Sequence, residues 1–236
     1  MSDSEIEIRV LTSADEMAAV GTVFQQVWGS VTPLVETGLL CAIAHSGGYV
    51  IGAYDAHNII GASFGFLGRY DGDEALHSHV TGILPGVQHT GVGRAIKLHQ
   101  RAWAAARGIP WITWTFDPLV RRNAYFNIEV LGAHVAEYLV NFYGVMTDSI
   151  NGIDESDRLL VAWPTDDSVD APDAPTGTSV IEIATPDDII KLRRTDPQAA
   201  DEWRARVRSE LGGALDRGGV VTGFTRAGAY QVAVPD

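Results

Sequence analysis

The stretch Gln88-His89-Thr90-Gly91-Val92-Gly93 lies between a predicted strand and a predicted helix. The strand covers Leu76–Leu84 and is closed by Pro85-Gly86. The helix covers Arg94–Arg107, is rich in Ala, Arg, Lys and Leu, and is followed by Gly108. A glycine-containing turn that enters a helix points successive amides at one place, where the helix dipole adds about +0.5 charge. We therefore expect an anion site at this turn.

The spacing of the two glycines distinguishes this turn from two other phosphate-binding motifs. A P-loop requires Gly-Lys-Ser/Thr, which does not follow here. A dinucleotide fingerprint requires a third Gly or Ala three residues after the second glycine, and this chain has Ile96 there. The pattern that remains is Gln-x-x-Gly-x-Gly between a strand and a helix. A plain strand-to-helix turn is the alternative interpretation.

Composition narrows the class of protein. The chain has 236 residues, of which 46% are apolar and 20% charged, as is typical of a folded globular protein. Its net charge of −13 disfavours nucleic acid as a partner. The one cysteine, Cys41, excludes an internal disulfide and multi-thiolate metal sites, and we expect it to be a buried apolar residue.

Two observations concern location. No apolar run reaches the about 18–20 residues that a membrane helix needs. The N-terminus lacks the basic start and apolar core of a secretion signal. These features predict a cytoplasmic protein that does not bind membranes.

The chain is predicted to consist of three parts. Residues 1–164 read as alternating strands and helices, including a buried strand at Trp111–Phe116 and a helix over Val120–Leu131. Residues 165–177 are rich in Asp and Pro and are predicted to be an acidic, solvated linker. Residues 178–236 are predicted to be a C-terminal strand-helix-helix-strand-strand extension.

The extension shares its order of predicted strands and helices with the first 67 residues, and a short stretch of amino-acid sequence also repeats. Ile6-Glu7-Ile8 corresponds to Ile181-Glu182-Ile183. One interpretation is a truncated internal repeat. The other is that short strand and cap patterns recur by chance.

The motif Gln-x-x-Gly-x-Gly at residues 88–93 resembles the pyrophosphate-binding motif of the GNAT superfamily of acyl-CoA-dependent N-acyltransferases, written Gln/Arg-x-x-Gly-x-Gly/Ala, and the match is complete. The order of elements from residue 6 to about 164 is similar to that fold, over about two-thirds of the chain. The stretches Trp-Thr-Phe-Asp-Pro-Leu at 114–119 and Asn-Phe-Tyr-Gly at 141–144 look like a branch known mainly as predicted acetyltransferases. The resemblance implies an α/β (α+β) fold with a mixed, mostly antiparallel sheet flanked by helices.

The resemblance also implies a co-substrate, acetyl-CoA or another acyl-CoA. The backbone of Ile83 and Leu84 would pair with the pantetheine arm where the fourth and fifth strands splay, and Asn123 would contact the cofactor. A fourth-strand amide would polarise the acyl carbonyl. Arg94 and Lys97 would add positive charge beside the pyrophosphate. The residues whose amides would bind the pyrophosphate are Gln88, His89, Thr90, Gly91, Val92 and Gly93.

The candidate general base is a histidine. His77 and His79 are two residues apart on a strand, so they share a face. An imidazole titrates near neutral pH and suits removal of a proton from an amine. Glu74 precedes the predicted strand and ranks below the histidines. Two alternatives stay open: one histidine is a hydrogen-bonded sheet residue, or the pair binds zinc, although no third ligand is evident.

The sequence leaves the general acid unassigned and offers candidates for the side of the site that binds the acceptor amine. Many relatives carry a Tyr where this chain has Ile128, and Tyr125 and Tyr143 are possible substitutes, so the acid stays unassigned. Thr115 and Asp117 are expected to face the acceptor together with Tyr143. Asp117 would hold an ammonium group or, alternatively, cap the turn that begins at Pro118.

The sequence thus predicts direct transfer of an acetyl or other short acyl group to the amine of a small metabolite, without a metal. A homodimer is possible. One alternative is a CoA-binding regulatory module without catalysis, which the missing Tyr motivates. The other is a metal-dependent enzyme at His77 and His79.

Overall fold

A computed structural model describes residues 6–87, 90–146, 154–166 and 178–235. The strands are β1 (Glu7–Val10), β2 (Tyr49–Asp55), β3 (Asn58–Tyr70), β4 (Asp73–Ile83), β5 (Trp111–Phe116), β6 (His134–Leu139), β7 (Val145–Met146), β8 (Asp154–Glu155), β9 (Arg158–Pro164), β10 (Thr178–Ala184), β11 (Val220–Phe224) and β12 (Ala229–Pro235). The helices are α1 (Ala14–Trp28), α2 (Thr37–His45), α3 (Val92–Ala105), α4 (Arg121–Tyr125), α5 (Ile189–Thr195), α6 (Pro197–Val207) and α7 (Gly213–Asp216). Two π-helical segments, Phe126–Val130 and Arg208–Gly212, follow α4 and α6.

The main sheet has seven strands in the order β1-β2-β3-β4-β5-β9-β6. Its pairs are mostly antiparallel, whereas β4 and β5 run parallel. This confirms the predicted α/β (α+β) class with a mixed, mostly antiparallel sheet flanked by helices.

The chain divides into two compact units, residues 1–113 and 114–236. In the first unit, α1 begins with a capping box, in which Ser13 and Glu16 each accept a hydrogen bond from the other's backbone amide. The core cluster of this unit includes Leu11, Met17 and Phe24. Cys41 is half-buried and packs against that cluster.

Helix α2 begins at Thr37, after Glu36, which still has an extended backbone. Two other helices differ from the prediction. Helix α3 begins two residues early, at Val92, because Gly91 serves as its N-cap. The predicted helix over 120–131 is interrupted, since the amide of Leu131 bonds to the carbonyl of Phe126, five residues back, as in a π-helix.

In the second unit, residues 178–235 contain the predicted strand-helix-helix-strand-strand order. Asp196 caps α6 and Pro197 is in its first turn, where proline is favoured. The strand pairing, however, is β10-β12-β11, whereas the first three strands of the chain pair in the order β1-β2-β3. The likeness between the two segments therefore does not extend to strand pairing.

The C-terminal residues pack with residues 114–164 within the second unit. Arg193 donates to Asp117 over 2.7 Å, and both side chains are buried. The Tyr230 hydroxyl donates to the carbonyl of Pro118 over 2.8 Å. These contacts explain why the boundary between units falls within β5 and not in the predicted linker, residues 165–177, most of which lie outside the described residues.

Replacing Arg193 by Met tests this packing. The change leaves the carboxylate of Asp117 buried without its cation, so we expect the free energy of unfolding to fall by about 3–5 kcal/mol. Urea unfolding followed by circular dichroism measures it. The double variant Asp117→Asn/Arg193→Met, which removes the charge as well, should recover much of the loss. Equal stability of the single variant and the native chain would contradict the packing described here.

Candidate functional site

The fourth strand changes its pairing in its middle. On its β3 side, Phe64 is opposite Val80 and Gly65 is opposite Ser78, so His79 is an extra, bulged residue. On its β5 side, the ladder described runs from Ala75↔Trp111 to His77↔Thr113. Beyond His77, β4 continues to Ile83.

The two candidate histidines lie side by side at this point. Their ring centroids are 5.9 Å apart, and the ring of Phe66 lies 5.1 Å from His77 and 5.5 Å from His79. Nδ1 of His77 is 3.1 Å from the hydroxyl of Thr113 in β5. His79 is exposed, while one side of its ring packs against Phe64. The strand thus holds one imidazole in a hydrogen bond and presents the other at the surface.

Both imidazoles favour the neutral form. Burial lowers the pKa of His77 to about 4, with further lowering from His79 and Lys97. Burial of its ring also lowers the pKa of His79. At neutral pH both side chains can accept a proton, as a general base must. Glu74, by contrast, is an exposed residue within β4, paired with Arg69 of β3.

An open cleft lies beside His79. Its volume is about 360 Å³, within the range of small-molecule pockets. Apart from His79, the residues that define it are apolar. They include Phe24, Leu39, Ile43, Phe64 and Phe66. An apolar group of a small ligand fits this lining better than a charged one.

The turn before α3 has the backbone that the glycine motif requires. Gly91 has φ +89°, in the left-handed region that other residues rarely adopt, and it is the N-cap of α3. A Cβ added at Gly93 would lie 3.1 Å from Cδ1 of Ile83. The hydroxyl of Thr90 donates to the carbonyl of Val87 over 2.6 Å. Gly91 is therefore needed for the backbone conformation of the turn, whereas Gly93 gives close packing against Ile83.

The start of α3 is open to an acceptor. No side chain of the described residues caps it. The first amides of a helix have no acceptor within the helix, and the helix dipole favours an anion there. Arg94 is exposed in the first turn. Gln88 and His89, the other two residues predicted to bind pyrophosphate, lie outside the described residues.

Lys97, expected to add positive charge beside the pyrophosphate, has a buried side chain. Its side chain is 5% exposed, and Nζ donates to Oγ of Ser78 in β4 over 3.0 Å. Gln100, fully buried, donates to the same oxygen over 3.0 Å and to Oγ of Ser63 over 2.9 Å. We call these four residues the β4 polar cluster. Sequence reasoning missed it, although Lys97, Gln100 and the buried Ile96 follow helical spacing on α3.

The remaining predicted site residues belong to the second unit. Oγ1 of Thr115 is 3.1 Å from the hydroxyl of Tyr143, so the structure brings these two predicted acceptor residues together. Asn123 is half-buried in α4. Tyr125 is also half-buried, and Ile128 lies in the π-helical segment. The general acid therefore stays unassigned.

Asp117 has a structural role. Its Oδ1 accepts from the amide of Leu119 over 2.9 Å, and its Oδ2 accepts from Arg193. The side chain is buried. Because the carboxylate is buried and its charge is paired with Arg193, binding of a further ammonium group is disfavoured in this arrangement. The turn-capping alternative describes its contacts better.

Among the described residues, no group of three or more His, Cys, Asp or Glu side chains is arranged to bind a metal ion. In residues 6–87, 90–146, 154–166 and 178–235, no helix is long and apolar enough to cross a membrane.

Comparison of sequences identifies no relative. No model of a protein family matches this chain, and no curated protein matches it. Comparison of structures does find similar folds, at low sequence identity.

Three solved structures illustrate the similarity. The ribosomal-protein-S18-alanine N-acetyltransferase from Escherichia coli has a TM-score of 0.54 and 18% identity, over 68% of this chain and 94% of that chain. A GNAT family acetyltransferase from Elizabethkingia anophelis with acetyl-CoA bound has a TM-score of 0.52 and 15% identity, over 69% and 99%. A chain of the NatC complex bound to Gag peptide and CoA has a TM-score of 0.52 and 11% identity, over 68% and 98%. The chain therefore has the fold of the GNAT acetyltransferases.

Proposed function

We propose that this protein transfers an acetyl or other short acyl group from acyl-CoA to the amine of a small metabolite. One observation carries the proposal. The N-terminus of α3 has no side-chain cap among the described residues, and it follows Gly91, whose backbone is in the left-handed region, within a complete Gln-x-x-Gly-x-Gly motif. This arrangement has the chemistry of a pyrophosphate site. Solved structures of the same fold contain acetyl-CoA or CoA.

The part of β4 that follows His77 supports direct transfer of the acyl group from CoA to the amine. The amine nitrogen forms a bond to the carbonyl carbon of the thioester, and the carbonyl oxygen becomes an oxyanion. A backbone amide of β4 beyond His77, where the ladder to β5 ends, stabilises that charge. The carbon–sulfur bond then breaks, the nitrogen gives up its remaining extra proton, which the departing CoA thiolate takes up directly or through water, and the amide product and free CoA thiol form.

His79 is our candidate for the base, with His77 beside it. An ammonium group must lose a proton before it attacks, and neutral His79 accepts that proton directly or through water. His79 borders the apolar cleft, so an amine whose apolar part occupies the cleft has its nitrogen near this imidazole. The net charge of −13 favours approach of a cationic amine.

The second candidate function is a CoA-binding module without catalysis. The observation that favours it is Ile128 at the position where many relatives carry the acid Tyr. Release of free thiol from acyl-CoA, measured against a panel of amines, separates the two functions. Tight CoA binding without thiol release for any amine supports the module.

Gly91→Val tests the pyrophosphate site. Valine at φ +89° is strained, while a Cβ there meets no atom within 4 Å, so the turn should change without disrupting the core. We expect CoA affinity to fall by about tenfold or more, because a displaced turn misdirects the amides. Isothermal titration calorimetry measures it.

Gly108→Val is the matched control for this variant. Gly108 has φ +69° and equally open space, but lies after the other end of α3. It should lose similar stability and bind CoA like the native chain. Unchanged CoA affinity in Gly91→Val would refute the site.

His79→Gln tests the base. We expect kcat to fall by about 100-fold or more, with the KM for acyl-CoA unchanged. Because burial lowers the pKa of His79 from 6.5, the midpoint of the fall of the native kcat at acid pH should lie below pH 6.5. Steady-state kinetics across pH measure both effects.

The control for the base is His57→Gln, in the exposed turn between β2 and β3, which should keep native rates. Native activity of His79→Gln, with loss in His77→Gln, would assign the base to His77. Native activity of both variants would remove the histidines from the mechanism.

The apolar cleft predicts which amines are good substrates. An arylalkylamine should exceed a polar diamine in kcat/KM by about tenfold or more, because the cleft buries its ring. Leu39→Asp, at an exposed cleft position, should remove this preference without affecting CoA binding. Val180→Asp, exposed on β10, is the control. Equal rates for both amines would contradict the role of the cleft.

A further inference from the structure

The β4 polar cluster flanks the bulge at His79 from both sides. Ser78, just before the bulged residue, accepts from Lys97 and Gln100. Val80, just after it, offers its carbonyl oxygen to Ser63 over 2.8 Å, and Ser63 in turn accepts from Gln100. Two side chains of α3 are thus linked by hydrogen bonds to the residues on either side of His79.

A lysine is a costly residue for this place. Lys97 is buried beneath β4, and burying an ammonium group costs more than burying an apolar chain of the same length. Packing alone would favour Met or Leu here. The ammonium group of Lys97 lies beneath β4, the strand that carries both imidazoles. A lysine at this position can therefore act on that strand in a way that Met or Leu cannot.

We propose that Lys97 is a positioning residue for His77 and His79: its hydrogen bond to Ser78 holds the bulged backbone that carries His79, and its charge acts on the neighbouring His77. The role in catalysis rests on the proposed acyl transfer, whereas the action on the imidazoles does not. His77 and Ser78 are neighbours on β4 and point to opposite faces, so the charge acts through the strand.

The electrostatic contacts agree with this geometry. Burial is the largest cause that lowers the pKa of His77, followed by His79 and then by Lys97. Burial also lowers the pKa of Lys97, to about 7, so the charge of its side chain changes near neutral pH. On another side of α3, the hydroxyl of Tyr49 on β2 lies 2.7 Å from Nδ1 of His99.

Lys97→Met and Ser78→Ala separate the two parts of the proposal. Lys97→Met removes the charge and keeps an apolar stem. Ser78→Ala keeps the charge and removes the hydrogen-bond acceptor. Arg69→Met is the control, because it removes an exposed positive charge from β3.

The first measurement is NMR titration of the imidazole nitrogens in the full chain. In Lys97→Met the pKa of His77 should rise by about half a unit or more, because a like charge has gone. Arg69→Met should leave it unchanged. Ser78→Ala should move the amide resonance of His79 more than Arg69→Met does. Titration of both histidines in Lys97→Met as in the native chain would overturn the proposal.

The second measurement is the pH dependence of kcat. In Lys97→Met the fall of kcat at acid pH should follow the pKa that the NMR titration gives for the imidazole acting as the base, with the KM for acyl-CoA unchanged. A uniform loss of kcat at all pH values would mean a structural role only. If Lys97→Met does not fold, Lys97→Gln, which keeps a polar head, is used. If no amine is acylated by any variant, the proposed function fails and the NMR titration still decides the action of Lys97.

Discussion

Buried polar side chains must find hydrogen-bond partners, and in the first unit this requirement centres on β4. Ser63, Ser78, Lys97 and Gln100 are all buried, and each has at least one partner within the β4 polar cluster. The cluster links α3 to the residues on both sides of the bulge. The open start of α3 and the bulged half of β4 are thereby parts of one connected structure.

This connection brings together two features that the proposed reaction needs. An anion site at the start of a helix binds a phosphate group, and an imidazole on the neighbouring strand accepts a proton. The bulge makes His79 the extra residue of β4, beside the apolar cleft. A base on a strand that is held on both sides of its bulge loses little freedom when substrate binds.

The same requirement shapes the second unit differently. Asp157 accepts from Arg208, from the hydroxyl of Tyr138 and from the amide of Asn141. Burial raises its pKa, but these hydrogen bonds hold the net value below its usual range. Together with the pair Asp117–Arg193, these contacts join the C-terminal segment to residues 114–164. The segment is therefore part of the packing of its unit.

The sequence by itself determined features that depend on a few consecutive residues. The capping box at Ser13, the bounds of β5, the Asp196-Pro197 helix start and the glycine turn at 91 all follow from local geometry. The order of elements followed from hydrophobic periodicity. Only the tertiary structure decided the bulge at His79, the burial of Lys97 and the pairing of Asp117 with Arg193. Each of these features depends on which distant residue packs against the one in question. A one-residue change in strand register, or a different position of a remote helix, would alter them without any change in the neighbouring sequence.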